Sequence, residues 1–496
     1  MKDSLFIPGE IKAKTSWRSP RTICIIFLFI AAVVALMTIA IVQSKPISQK
    51  YKYGIVLDAG SSHTSVYIYE WPAEKENNTG MVRQLDTCDV EGKGISSYAN
   101  NVSQAGNSLK KCMDKAKKSV PKAKHGDTPV YLGATAGMRL LSMENKRASD
   151  EVMASVERTL RNTPFDYQGA RIISGQEEGA FGWITVNYLS DNFRQAKPTM
   201  GALDLGGAST QITFVSKQSS VSPENSIDFR LYGKDYQLYT HSFLCYGKDQ
   251  VLKLAMAHQL ETDEYILHDP CFHPGYKVNK SLGSVFNSPC AKTFDEPSRT
   301  FTHIGEGKWE ECRNSIRKVF NFSDCSFSSC SFNRVYQPKV EGMFGAFSAY
   351  YFVMNFLNLT THSLEESKMS LSKYCSTSWS EIKSNHPKVK DKYLAEYCFS
   401  ATYILTLLED GYKFTPENWN DINFIDKIEN SNAGWTLGYM LNLTNMIPAE
   451  APDTPPLTNG GFVTVMLFLS MAIIVLLALS CKFFGRPSCS SPKEII

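Results

Sequence analysis

Two stretches decide the reading, GIVLDAGSSHTSVYIYEW at 54–71 and GALDLGGASTQITFV at 201–215. Each runs from an apolar strand through an Asp and a glycine-bearing turn with hydroxyl residues into a second strand whose apolar residues alternate, the period of a half-buried sheet. One Asp-Gly turn between two strands is an ordinary hairpin. Two copies of one plan, far apart in sequence, imply two related lobes that face each other. Around the first copy, 53–57 and 65–69 read as strands, 129–132 as a further strand and 151–160 as a helix, a mixture that predicts an α/β fold.

The turns also carry the chemistry. In Asp58-Ala-Gly-Ser-Ser-His-Thr64, successive backbone N–H groups and hydroxyls converge on one concavity that suits a terminal phosphate. The strand-end Asp can hold a hydrated metal ion, and Asp204-Leu-Gly-Gly-Ala-Ser-Thr-Gln211 repeats the kit. Two such loops from opposed lobes would clamp a polyphosphate and share one ion between Asp58 and Asp204. Between them stand the small-residue turn GATAGMR at 133–139 and GQEEG at 175–179. Water attacking phosphorus needs a base, and either Glu177 or Glu178, read as carboxylates on a tight turn, could serve. There is no Walker loop, no kinase signature set and no HExxH zinc motif.

The 496 residues, 43% hydrophobic, suffice for two domain cores, and a formal net charge of +3 from interleaved charges excludes the basic stripe of a nucleic-acid binder. Uninterrupted apolar runs at 22–42 and 461–479 are each near the roughly 20 residues of a bilayer-spanning helix. Lys12, Lys14, Arg18 and Arg21 before the first, with Lys482, Arg486 and Lys493 after the second, place both tails in the cytoplasm. Ten cysteines lie between the runs, an even set that fits disulfides in an oxidising compartment, whereas Cys24, Cys481 and Cys489 lie in or beside them and are expected to be free thiols. Sequons at Asn77, Asn101, Asn279, Asn321, Asn358 and Asn442 fall in the same extracellular stretch. Residues 245–330 read as an irregular, disulfide-dependent insertion. Helix-compatible runs return at 350–357, 403–408 and 434–443.

DAGSSHT, GATAGMR, GQEEG, DLGGASTQ and GWTLGYMLNLTNMIPAE, in that order between two terminal apolar helices, closely resemble the ecto-nucleoside triphosphate diphosphohydrolases, or ecto-apyrases, in their cell-surface branch. The resemblance implies a duplicated, two-lobed α/β fold similar to actin and hexokinase (ribonuclease-H-like), with a disulfide-rich insertion and two flanking transmembrane helices. It divides the chain into a tail (1–21), a membrane helix (22–42), lobe I (43–200), lobe II with the insertion (201–448), a tether (449–460), a second membrane helix (461–481) and a tail (482–496). It implies cleavage of ATP, ADP, UTP and UDP to the monophosphate outside the plasma membrane, and so control of purinergic signalling.

By the same likeness Glu178 is the base, Ser209 and Gln211 position the water, and Asp58 and Asp204 hold Ca²⁺ or Mg²⁺ through water. Ser61, Ser62, His63, Thr135, Ala136, Gly206, Gly207 and Ala208 line the phosphates, and Tyr351, with Tyr350 beside it, and Lys248 sandwich the base. Lys248 stands where some relatives have arginine, so base discrimination is expected to be weak. The implied disulfides are Cys88–Cys112, Cys245–Cys290, Cys271–Cys312, Cys325–Cys330 and Cys375–Cys398. Two anchors per chain leave room for self-association in the membrane. Two features depart from the pattern: the connection between Tyr188 and Gly201 is short, and Arg334 occupies a turn where relatives tend to have glycine.

Overall fold

The computed structural model describes residues 20–43, 50–74, 81–216, 223–260, 265–291, 294–323, 325–428, 431–444 and 457–484. Asn77, Cys489, Lys12, Lys14, Arg18, Arg486, Lys493 and most of the 449–460 tether lie outside them. Two units result, one formed by the chain ends and one by Tyr51–Ala449.

In the first unit, helices α1 (Pro20–Gln43) and, at the other end of the chain, Asn459–Phe484 pack against each other. Both are long and apolar enough to cross a bilayer, and large apolar side chains such as Phe27 and Phe468 are exposed on their outer faces. Cys24 and Cys481 are free thiols.

The second unit opens with β1 (Tyr51–Ala59), β2 (Thr64–Pro72) and β3 (Arg83–Asp89), followed by α2 (Val102–Ser108), α3 (Lys110–Ser119), β4 (Pro129–Ala134), α4 (Ala136–Glu144), α5 (Lys146–Arg161) and β5 (Asp166–Ile172). They form one sheet in the order β3-β2-β1-β4-β5, antiparallel in the hairpins and parallel from β1 to β5. Ile55, Val56 and Leu57 of the central strand are fully buried, as a strand covered on both faces requires. Leu109, Met113, Val152, Val156 and Leu160 from the helices pack over that strand and β4.

Helix α6 (Gly175–Leu189) leads into β6 (Gly201–Leu205), β7 (Ser209–Val215), β8 (Ser226–Leu231) and β9 (Lys234–Leu244). Next come α7 (Lys248–Gln259), β10 (Ile266–Asp269), β11 (Lys277–Ser281), α8 (Leu282–Phe286), β12 (Thr300–Gly305) and α9 (Trp309–Arg317). The chain then returns through β13 (Phe344–Ser348), α10 (Ala349–Phe356), α11 (Leu364–Ser376), α12 (Trp379–Asn385), α13 (Asp391–Thr406), β14 (Ile422–Phe424) and α14 (Trp435–Thr444) before the last membrane-type helix, α15. The second sheet has the order β14-β13-β6-β7-β9-β8. Its first five strands, β14 to β9, repeat the pairing of the first sheet: two antiparallel steps outward from the Asp-bearing strand on one side and two parallel steps on the other. The echo seen in the sequence is therefore an echo of topology.

Residues 245–330 are more regular than expected. Strands β10, β12 and β11 form a sheet of their own, and Met256, Leu260, Leu267, Leu282, Phe286 and Phe301 give it a small core. Short elements with long-range partners leave little periodic signal, which is why the stretch reads as loop. All five disulfides take the pairing the resemblance implies. The short connection after α6 is pinned by Asn187, which donates to the carbonyls of Trp183 (3.0 Å) and Met200 (2.9 Å) and accepts from Met200 N–H (2.7 Å). Arg334 has φ +63°, the region that favours the glycine of relatives.

Helix α14 joins the two sheets. A Cβ on Gly133 of β4 would stand 2.3 Å from the Trp435 ring, and one on Gly54 of β1 would stand 2.5 Å from Met440. On its other side the Gly438 N–H donates to Thr185 Oγ1 of α6 (2.8 Å), and a Cβ there would lie 2.0 Å from the Phe181 carbonyl oxygen. Gly438→Ala must push α6 and α14 apart, at a cost of roughly 1–3 kcal/mol. The expected result is a fall of a few degrees in the midpoint of thermal inactivation, and an unchanged midpoint would contradict this packing.

Candidate active site

Asp58 and Asp204 occupy equivalent places, one residue from the carboxyl ends of β1 and β6, opposite Ser65 and Gln211 of their hairpin partners. Strand ends of this kind are where open α/β sheets gather ligands. The two turns meet: a Cβ on Gly207 would lie 2.8 Å from Ser61 Oγ, and one on Gly137 would lie 2.7 Å from Ser61 Cα. Ala136 and Leu140 of α4 touch Ala208 in a small apolar cluster beside the Cys245–Cys290 disulfide. Ser62 and His63 are exposed at the tip, Oγ to Nδ1 3.0 Å apart, and Thr135 is the residue before α4.

GQEEG is the first turn of α6 rather than a tight turn. Ser174 caps the helix, and Glu177 returns the bond to the Ser174 N–H (2.9 Å) while pairing with both Arg171 nitrogens (2.8 and 3.0 Å). Glu177 is thereby engaged in holding the helix start. Glu178, 7% exposed, faces the other way. Its Oε2 accepts from Arg139 Nη2 (2.7 Å) and Gln211 Nε2 (3.2 Å). The same two groups donate to Ser209 Oγ, at 3.1 and 2.8 Å, and Gln211 also reaches Ser242 Oγ (2.9 Å). Both bonds to the carboxylate fall on Oε2, leaving Oε1 open among the described residues.

Three carboxyl groups crowd this space. Burial, then the charge of Glu178, pushes Asp58 up to about 8 and Asp204 up to about 7, and burial raises Glu178 against the opposing pull of Arg139. Asp58 Oδ1 is buried without a hydrogen-bond partner. The Trp435 indole comes near enough to lower Asp58's pKa, yet its N–H completes no bond of good geometry. Such an under-neutralised set of hard oxygen donors fits a divalent cation. Among the described residues no three acidic, His or Cys side chains close around one point.

Three residues escaped the sequence reading. Arg139 ends a motif quoted there, so its signal was present; it reaches from α4 to Glu178 of α6 and Ser209 of β7. Ser242 lies within β9 and carries no motif. Ser348 has φ +57° and ψ −131°, an unusual conformation for a residue with a side chain, and its hydroxyl draws Asp204's pKa down.

The base-sandwich residues fare differently. Tyr350 is a correction: it is fully buried, its hydroxyl 3.4 Å from Thr210 Oγ1, and presents no face to the cleft. Its neighbour Tyr351, turned by one helical step, is half-buried with its ring 5.7 Å from that of Phe352. Lys248 starts α7 and pairs with Asp249 and, at 3.6 Å, with Glu396. Of the sequons described, Asn101, Asn279, Asn321 and Asn358 are exposed and Asn442 on α14 is half-buried.

Known proteins share both fold and sequence. A crystal structure of nucleoside triphosphate hydrolases from Neospora caninum superposes with a TM-score of 0.61 over 88% of this chain and 99% of its own, at 14% identity. Ectonucleoside triphosphate diphosphohydrolase 1 of Mus musculus is 50% identical over 482 residues, covering 93% of this chain and 94% of the mouse protein. Ectonucleoside triphosphate diphosphohydrolase 2 of Gallus gallus is 44% identical over 86% of this chain and 90% of its own, and ectonucleoside triphosphate diphosphohydrolase 3 of Homo sapiens is 43% identical over 97% and 94%. Residues 44–456 match the GDA1/CD39 (nucleoside phosphatase) family, and with two Asp-bearing hairpins facing one buried glutamate the chain belongs to that family.

Proposed function

We propose that this membrane-anchored extracellular domain hydrolyses nucleoside tri- and diphosphates such as ATP, ADP, UTP and UDP to the monophosphate, one phosphate at a time, at the plasma membrane with both tails in the cytoplasm. The observation that carries the reading is the hydrogen-bonded set Glu178–Ser209–Gln211–Arg139 at the point where the Asp58 and Asp204 turns meet. The names of the relatives above support the substrate class.

In this reading a water stands between Glu178 and the terminal phosphorus. Ser209 Oγ accepts from Arg139 and Gln211 and so keeps its own proton to donate to that water. Glu178 Oε1 takes the water's proton as its oxygen attacks, and the bond to the leaving oxygen breaks in line. Arg139 acts as a positioning residue: its charge helps keep the buried Glu178 ionised, as a base must be. Carbonyls 206, 207 and 208 accept from Lys248, Asp249 and Cys245 N–H groups and the Gly206 N–H donates to the Ser209 carbonyl (3.0 Å), so the amides of Gly207 and Ala208 are the ones offered to phosphate oxygens. The N-terminal amides of α4, after Thr135, add a second donor set.

Asp58 and Asp204 would hold Ca²⁺ or Mg²⁺ through water, and that ion would offset charge on the phosphates. Tyr351 and Lys248 would flank the nucleobase, with the lysine's carboxylate partners limiting how it stacks. Glycans at the sequons and self-association through the two membrane helices complete the reading.

Glu178→Gln is expected to lower kcat by roughly 10²–10⁴ with KM little changed, the range for loss of a general base; phosphate release at the wild-type rate would refute the assignment. Glu177→Ala should instead leave kcat within about twofold and cost about 1 kcal/mol of stability through the lost cap; thermal inactivation assays separate the two. Arg139→Lys, which cannot bridge Glu178 and Ser209 with one planar group, should lower kcat by roughly tenfold or more with KM nearly constant. Chelation of divalent ions should abolish phosphate release and added Ca²⁺ or Mg²⁺ restore it; turnover persisting in excess chelator would remove the ion from the scheme.

A further inference from the structure

Charges interleave along the chain as a whole, but not between 110 and 124. That stretch holds seven lysines against Asp114 alone, in a chain whose formal net charge is only +3. It forms α3 and the 3₁₀ turn Lys122–Asp127 after it, on the outer side of the first lobe. Three of the lysines are neutralised: Lys111 by Glu91, Lys115 by Asp86 at 2.7 Å and Lys117 by Asp114 at 2.8 Å. Among the described residues no carboxylate pairs with Lys110, Lys118, Lys122, Lys124 or with Arg158 of α5.

A cavity of about 450 Å³ opens between α2, α3 and α5 beside these charges. Lys110, Lys117 and Arg158 line it with Asn107, Thr159 and Asn162, and Asp114 is its one carboxylate. The volume falls in the roughly 300–1,000 Å³ range of small-molecule sites. Cations alternate there with amide and hydroxyl groups, the donors that sulfate groups and sugar hydroxyls require.

We propose that this groove binds a sulfated glycosaminoglycan chain. A linear polyanion suits it better than a single ion, because the unpaired Lys110 and Lys118 are more than two turns, roughly 12 Å, apart along the helix and the free cations continue past the cavity to Lys124. A bilayer suits it less, because the apolar residues of α3, Cys112, Met113 and Ala116, are buried and leave no side chain to insert. No aromatic ring lines the cavity, so a nucleic acid would find nothing on which to stack its bases. The inference rests on the extracellular placement and is independent of the chemistry at Glu178.

The test is binding of the purified full-length protein in detergent to immobilised heparin oligosaccharides at low and high salt. Binding is expected to weaken steeply with salt, and Lys110→Ser/Arg158→Ser to raise Kd by about tenfold or more. ATP hydrolysis by that variant should match wild type, which also verifies its folding. Lys388→Ser/Lys390→Ser, equal in charge change but placed before α13, should leave Kd within about twofold. Equal losses in both variants, undiminished binding to the desulfated chain, or binding to phosphatidylserine vesicles without binding to heparin would each overturn the proposal.

Discussion

Three carboxyl groups buried in one region of the fold are the constraint on which this structure turns. Asp58, Asp204 and Glu178 come from β1, β6 and α6, and among the described residues the one cation bonded to any of them is Arg139. Like charges in a low-dielectric space cost several kcal/mol unless something neutralises them. The fold accepts that cost because two hairpins of the same design, each at the centre of a buried sheet, fix their strand-end aspartates toward one point. What the protein leaves under-neutralised, a metal-bound polyphosphate can complete.

Packing between the sheets keeps that point in place. Glycines at 54, 133 and 438 let α14 lie against β1 and β4 on one side and α6 on the other, so the helix carrying Glu178 is tied to the strand carrying Asp58. Arg139 adds a polar tie across the same boundary.

Much of this was legible beforehand, for physical reasons. A buried strand followed by Asp and a glycine turn has few alternatives, so the duplicated hairpin was readable, whereas the sheet order, set by partners far apart in sequence, was not. The choice between Glu177 and Glu178 was also available: Ser174-Gly-Gln-Glu177 is a capping box, which engages Glu177 at the helix start. Other features were not. Neighbouring helical residues differ by a hundred degrees in direction, and nothing local says whether Tyr350 or Tyr351 faces the core. The insertion's short strands pair with distant partners, and the backbone of Ser348 is set by β13 lying beside Asp204's strand. Each depends on contacts made only in the folded chain.

Electron paramagnetic resonance of Mn²⁺ with a non-hydrolysable nucleoside triphosphate tests the central claim most directly. The account predicts one bound ion per chain, lost in both Asp58→Asn and Asp204→Asn although the two residues belong to different lobes. An ion retained at full occupancy in either variant would contradict it.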